Sequence, residues 1–493
     1  LPLGLPLGVP FGLRLGECAL MRRPELSAVP HPDLAWVPAF WASVQDHLFV
    51  REEDSTLIIP PNMVYKTNST GIAILRWLRG GRRIEDFPHT DAERLGQIEA
   101  FLRSLSDLCS GRGAAIETVP YDFDFTRLPV LGELAVTYRC GNACRFCYAG
   151  CGAEEEGREP GTGGFPEGPA GIDGEMSLEQ MKRVVDIFRD EAKIPFFSLT
   201  GGEPLLRDEL EELIAYAVSR GLRVNLITNA VLASPARAAS LFAAGLRTAQ
   251  VSLESPSARI HDYLCGREGA HERTLAGIAA LQGTGISVQT NSTLTRLNRE
   301  SLLSMPAFLK DLGIERFSMN LFIPPAGAAS YRPEAHVNSA ELFVPYSEVG
   351  SFVDAVSRGA RSSGLRFFWY SPTPLCIFNP MSRGLGNKSC AAADGLMHVS
   401  PSGDVLPCSS YPESLGNLLT GDFPAIWFSS RARMFKRKML APESCKSCES
   451  FLACQAACPL YWDYAGLGEL EGAPRPGRPC PGRPAAAISA RGG

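Results

Sequence analysis

Residues 130–151 read "VLGELAVTYRCGNACRFCYAGC". The first half contains "ELAVTY", a short apolar run that predicts a buried strand. The second half sets Cys140, Cys144 and Cys147 on a loop directly behind that strand, with three residues in the first gap and two in the second. Three thiolates on one short loop can hold three irons of a cubane 4Fe–4S cluster. The fourth iron is then left open to a small chelating molecule, as open metal positions generally are. Arg139, Gly141 and Asn142 suit a tight exposed loop. A zinc site is the alternative the same thiols allow.

Outward from this strand, strand and helix patterns alternate over residues 130–345. "SLEQMKRVVDIFRDEA" predicts a helix. "PFFSLT" and "LRVNLIT" predict strands on either side of the helix "RDELEELIAYAVSR". "TAQVSLE", "ISVQTNST" and "ERFSMNLF" continue the series, making six strand–helix repeats. That pattern predicts an α/β fold, a partial (β/α)6 TIM-like barrel with its chemistry at the carboxyl ends of the strands. The strand ends are polar. Thr200-Gly201-Gly202-Glu203-Pro204 follows the second strand, Thr228-Asn229 the third, "SLES" from Ser252 through Glu254 to Ser255 the fourth, and Asn291 lies on the fifth. Gly201 and Gly202 let backbone approach a ligand, and Glu203 can accept from an ammonium group. The acidic Gly/Pro-rich stretch 152–175 has no apolar periodicity and is expected to be a mobile loop.

The chain has 493 residues, 45% of them apolar and 20% charged, enough for several packed domains. Residues 1–30 are expected to be a disordered leader, because Pro and Gly interrupt the apolar start. Residues 31–118 predict a small winged-helix-like α+β domain. It comprises strands in "LFVREED" and "STLIIPPNMVYKTN", a helix capped by Ser69 and Thr70, and a later helix with Ile98, Phe101, Leu102, Leu105 and Leu108 on one stripe. Residues 346–483 have few long regular elements and many cysteines, and 484–493 are expected to be a loose tail. The formal net charge of −5 gives no nucleic-acid footprint. No apolar run reaches the ~18–20 residues a membrane span needs. Fifteen cysteines, clustered and without a secretion signal, favour cluster ligation in a reducing, cytoplasmic compartment over disulfides. Cys18, Cys109 and Cys265 are isolated and read as small buried hydrophobes; Cys151, four residues past Cys147, reads the same way, with a spare ligand or a reactive thiol as the alternative.

The Cys140–Cys144–Cys147 spacing, with Phe146 before the last cysteine, resembles the signature of radical S-adenosylmethionine (SAM) enzymes. The Gly201-Gly202-Glu203 segment resembles that family's GGE motif. The resemblance implies that the open iron takes the amino and carboxylate groups of SAM, and that an electron from the cluster cleaves SAM to a 5′-deoxyadenosyl radical. It assigns the SAM amino group to the GGE segment. It sets Thr228, Asn229, Ser252, Glu254 and Asn291 along the SAM ribose and carboxylate or the substrate. Glu254 stands where the family usually has Asp.

A second set follows the seven-cysteine pattern of the SPASM domain: Cys390, twelve residues, Gly403, four residues, Cys408; then Cys445-x2-Cys448-x5-Cys454-x3-Cys458; then Cys480. The resemblance implies two auxiliary 4Fe–4S clusters. Cys376 serves as the extra upstream ligand beside Cys390, Cys408 and Cys458, and Cys445, Cys448, Cys454 and Cys480 hold the other cluster. Paired zinc-ribbon sites are the alternative. Residues 46–110 resemble the PqqD-like domain of ribosomal peptide maturases, which binds a leader peptide as an added strand. Here the strand around Leu57–Ile59 and the helix from Ile98 to Leu108 are the expected elements.

These resemblances imply a maturase of a ribosomally made peptide or protein, fed electrons by a donor such as flavodoxin or ferredoxin, with no nucleic-acid or membrane partner. Maturation of a partner enzyme or its cofactor is the second reading, and a non-catalytic iron–sulfur or zinc protein the third.

Overall fold

The structure is a computed structural model, and it describes residues 12–15, 33–59, 63–88, 91–110, 116–119, 122–151, 174–324 and 339–472. The expected mobile loop up to residue 173, the tail, Cys18 and Cys480 lie outside the described residues, as does most of the expected leader. Residues 12–15 of that leader are a strand, contrary to expectation.

The larger sheet carries the barrel. Its first six strands are β6 (Leu131–Thr137), β7 (Phe196–Gly201), β8 (Arg223–Thr228), β9 (Thr248–Ser252), β10 (Ser287–Leu294) and β11 (Arg316–Leu321). They pair in sequence order and in parallel, so all six predicted strands are present. A seventh strand, β12 (Arg366–Trp369), pairs in parallel with β11. It is delivered by the helix Tyr346–Ser363, whose Val349, Phe352, Val353, Val356 and Ala360 form the buried stripe. This helix and strand lie in the stretch 346–483 that was expected to hold few long regular elements.

Local chemistry explains these elements. The helix Leu178–Asp190 starts at a capping box, in which Ser177 and Gln180 satisfy each other's backbone donors. Its Met181, Val184, Val185 and Phe188 recur at helical spacing and are buried. Phe188 meets Phe197 of β7 edge-on, with centroids 5.4 Å apart. Burial of each such side chain contributes roughly 2 kcal/mol.

The Cys-rich region docks onto the same sheet. β13 (Leu396–Val399) pairs in parallel with β6, from Leu396↔Leu131 to Val399↔Leu134. β14 (Asp404–Leu406) and β15 (Gly416–Asn417) extend it antiparallel. The barrel's first strand thus sits between the catalytic sheet and the cysteine domain.

The N-terminal domain has its own core and its own sheet, ordered β2 (Phe49–Arg51), β3 (Thr56–Ile59), β4 (Met63–Lys66), β1 (Gly12–Leu15), β5 (Ile116–Val119). Ile98, Leu102 and Leu105 of the helix Ala92–Cys109 are buried in that core, as their spacing predicts. The cap of the helix Ser69–Arg79 is Asn68, which accepts from Gly71 N at 2.8 Å, one residue earlier than expected. No helix among the described residues is long and apolar enough to cross a membrane.

Candidate active site and cluster ligands

The loop after β6 is bound on two sides. Toward β7, Gly202 N donates to Thr137 O at 2.7 Å and Glu203 N to Arg139 O at 2.8 Å. A Cβ on Gly201, at φ +133°, would lie 2.0 Å from Thr137 O, and one on Gly202 2.2 Å from Arg139 O. The two glycines are therefore required by the neighbouring backbone of the cysteine loop. Toward the helix Ala258–Cys265, Ala143 N donates to Cys265 O at 3.0 Å and Arg145 N to Leu264 O at 2.9 Å. The loop thereby satisfies carbonyls that a helix end leaves without partners.

The three thiols converge. Cys140 is pushed well above the ordinary thiol range by burial and then by Cys144, with Glu203 and Cys147 adding to it. Cys147 is lowered to about 7, first by a hydrogen bond from Cys151 and, against its burial, by the N–H groups of Cys151, Ala149 and Gly150. Cys144 is raised by its contact with Cys265 and by burial. Cys151 and Cys265, expected to be uninvolved, thus lie beside two of the three loop thiols.

The strand ends gather around them. Glu203 is buried and accepts from Leu205 N (3.0 Å), Thr228 Oγ1 (2.6 Å) and Asn229 N (2.8 Å). Burial raises its carboxyl, and these three donors partly offset the rise. A carboxylate has about four acceptor positions, so one remains for a ligand. Pro204 begins the short turn behind it. Asn229 directs Nδ2 to Cys140 Sγ at 3.7 Å and holds its own turn through Val231 N. Glu254 is buried with a single donor, Thr293 N at 2.7 Å, and burial carries its carboxyl up to about 8. Asn291, paired in register with Ser252 across β10 and β9, bonds to Asn320 and Ser318 of β11. These residues lie along the carboxyl-end rim of the sheet; Ser255, by contrast, is spent on a turn with Ser257 and Ser301.

Sequence reasoning missed Glu175. It accepts from Thr137 Oγ1, Tyr138 N and Arg207 Nη1, and so braces the start of the cysteine loop. It lies at the end of the stretch expected to be a loop. Asn142, whose type suits a tight exposed loop, has its side chain buried in the cysteine loop with neither amide atom partnered by a side-chain hydrogen bond.

In the Cys-rich region the thiols form two neighbourhoods. Cys408 is raised by burial and then by Cys390 and Cys458. Cys376 is raised to about 11 by burial and then by Cys454, Cys445 and Cys448. Gln455, Ala456 and Ala457 all take positive φ, and the N–H groups of Ala456 and Ala457 turn back onto Cys454. Among the described residues no His, Cys, Asp and Glu group is gathered closely enough to hold a single metal ion. Thiols spread around a loop, with N–H donors aimed at sulfur, fit the separate irons of a cluster.

A parallel barrel whose first strand ends in three converging thiols, beside a buried carboxylate, defines an iron–sulfur enzyme. The sequence profile of the radical SAM superfamily matches residues 134–321, and that of an iron–sulfur cluster-binding domain, SPASM, matches residues 390–449. An AdoMet-dependent heme synthase of Methanosarcina barkeri is 30% identical over 62% of this chain and 89% of its own length. A PqqA peptide cyclase of Xanthomonas campestris is 27% identical over 65% of this chain and 79% of its own. The fold resembles Streptococcus suis SuiB bound to its precursor peptide SuiA, with a TM-score of 0.60 at 15% identity, over 84% of this chain and 95% of that one. The chain belongs to the radical SAM superfamily and carries a SPASM domain.

Cys140, Cys144 and Cys147 would hold the barrel 4Fe–4S cluster, and Cys376, Cys390, Cys408, Cys445, Cys448, Cys454 and Cys458 are the described thiols available to the auxiliary clusters. When bound, cluster and SAM would supply radical chemistry directed at a substrate C–H bond. The chain's own part is positioning. Thr228 and Asn229 fix Glu203, the two glycines seat the loop, and Thr293 N holds the buried Glu254 carboxyl at the rim.

Proposed function

We propose that this enzyme modifies a ribosomally made peptide whose leader adds a strand to the N-terminal sheet. The observation that carries the reading is β1. Residues 12–15 pair in parallel with β4 (Arg14↔Lys66) and lie beside the helix Ala92–Cys109. The edge of β4 next to that helix therefore accepts an added strand. Backbone bonds would supply affinity there and side-chain pockets selectivity. The expected strand Leu57–Ile59 is unsuitable, because β3 is bonded on both sides, to β2 and β4. The names of two relatives support a peptide substrate: the PqqA peptide cyclase, and SuiB in complex with SuiA. A cytoplasmic setting and a flavodoxin or ferredoxin donor complete the proposal.

The test is to reconstitute the enzyme without oxygen and add SAM, a reductant and a short peptide encoded beside its gene. The reading predicts 5′-deoxyadenosine together with a mass change in the peptide, and peptide binding that strengthens when residues 1–20 are removed. Failure of every such peptide to bind or change overturns it. The identity to a heme synthase favours a second reading, a porphyrin-type substrate. Peptide-independent turnover of a porphyrin would support that one.

A further inference from the structure

We propose that Gln250 and Asn320, two carboxamides on the inner face of the barrel, bind backbone carbonyls of the peptide segment to be modified. The proposal deepens the peptide reading above and rests on it.

Alternation along β9, β10 and β11 separates two faces. Ala249 and Val251 of β9, Val288 and Leu294 of β10, and Phe317 and Met319 of β11 are buried in the main core against the helices. The residues that alternate with them point the other way, into the barrel. On that face Gln250, Gln289, Asn291 and Asn320 are only half-buried. Register sets Gln250 beside Gln289, Asn291 beside Ser318, and Asn320 beside Thr293. The inner face of the three strands is thus a band of neutral amides and hydroxyls.

Hydrogen bonds within the band orient the carboxamides and leave donors over. Gln289 Nε2 donates to Gln250 Oε1 at 2.9 Å. Asn291 Nδ2 donates to Asn320 Oδ1 at 2.7 Å, and Ser318 Oγ donates to Asn291 Oδ1 at 2.8 Å. In both terminal residues the oxygen is engaged, so Gln250 Nε2 and Asn320 Nδ2 present their N–H groups to the barrel interior. A peptide carbonyl is an obligatory acceptor and is the matching partner.

Charge narrows the ligand further. The cation on this face of the three strands is Arg316, at the amino end of β11, where its Nη2 donates to Ser287 Oγ at 2.6 Å. Arg366 of β12 is paired with it at the same end. The ionisable groups at the opposite rim are the carboxyls of Glu203 and Glu254. A carboxylate-bearing macrocycle would meet amides and carboxyls in this band, whereas a neutral polyamide finds donors and acceptors of its own kind.

The full-length enzyme is reconstituted and assayed with SAM, a reductant and the peptide encoded beside its gene. Gln250→Glu and Asn320→Asp keep the bonds from Gln289 and Asn291 but remove the free donors; Gln250→Leu and Asn320→Leu remove both. Each of the four should raise the peptide KM by about tenfold and lower the amount of modified peptide formed per 5′-deoxyadenosine. Iron content and SAM affinity by calorimetry should match wild type and report folding. Wild-type KM and coupling in Gln250→Glu and Asn320→Asp overturn the proposal, even where the leucine variants fail. Weakened SAM binding with unchanged coupling overturns it as well. A peptide modified alike by wild type and all four variants removes this subsite alone. If wild type modifies no peptide, the peptide reading falls and the subsite with it.

Discussion

Thr228 donates its hydroxyl to Glu203 at 2.6 Å, joining the carboxyl ends of two adjacent barrel strands at the point where SAM's amino group is expected. Loss of one donor to a buried carboxylate costs about 1–3 kcal/mol and favours its protonation. Thr228→Val should therefore weaken SAM binding by about tenfold, roughly 1.4 kcal/mol. Glu203→Gln should weaken it more, because it removes the acceptor itself. Calorimetry on the reconstituted enzyme measures both. Equal affinities in wild type and Thr228→Val would show that the bond is structural only.

Gly201 and Gly202 face backbone oxygens at distances no Cβ can occupy. Gly201→Ala should push β7 away from the cysteine loop and lower the iron content by about four atoms, while the auxiliary clusters still load. Iron and sulfide analysis after reconstitution checks this. Full loading in Gly201→Ala would mean that the loop tolerates the shift.

Arg51 and Asp54 are fully buried and form a bidentate pair at 2.8 Å. Arg51 also donates to the carbonyls of Pro129 and Leu128, and Asp54 accepts from Arg127 N, so the pair clamps the N-terminal domain to the entry of β6. Burial alone would raise the Asp54 carboxyl, but Arg51, Thr56 and the Arg127 N–H hold it below its ordinary value of 3.8. Its folded pKa is depressed, so its contribution is present above that ordinary value and is lost as pH falls through the folded one. Asp54→Asn should cost about 3–5 kcal/mol near neutral pH, because it strands a buried guanidinium. It should also flatten the stability profile below pH 4. Thermal unfolding of both proteins across acid pH measures the difference.

Much of this site was legible in the sequence because its chemistry is local. The cysteine loop, the GGE turn and the polar strand ends each lie within a few residues, and strand periodicity places them at one rim. The 3, 4, 7 spacing of Val349, Phe352, Val353 and Val356 likewise marks the helix that leads into the seventh strand. Other features depend on tertiary approach. Nothing local to Cys376 says that its turn meets Cys454, nothing local to Glu175 that it braces Thr137, and nothing local to Leu57 that both edges of its strand are used.

Cys265 is the case with the most direct consequence for catalysis. The backbone N–H of Glu254 donates to His261 Nδ1 at 3.1 Å, which leaves the proton of the neutral ring on Nε2. Burial, followed by His271, lowers His261 to about 4, so the ring is neutral at working pH. Its Nε2 lies 3.4 Å from Cys265 Sγ, and Cys265 in turn contacts the thiol of Cys144. Without a cluster Cys144 is the donor of this pair, since the contact raises it; with Cys144 bound to iron as a thiolate, the Cys265 thiol, held by His261, would become the donor. Hydrogen bonds to cluster sulfurs raise the reduction potential by stabilising the added electron. Cys265→Ala should therefore keep its full iron content, lower the midpoint potential of the SAM-responsive cluster and slow reductive SAM cleavage. Cys265→Ser, which keeps a donor, should fall between wild type and alanine, and His261→Phe should shift the potential in the same direction by less. Redox titration by EPR reads the effect directly. An unchanged potential in Cys265→Ala would reduce this residue to packing against the loop.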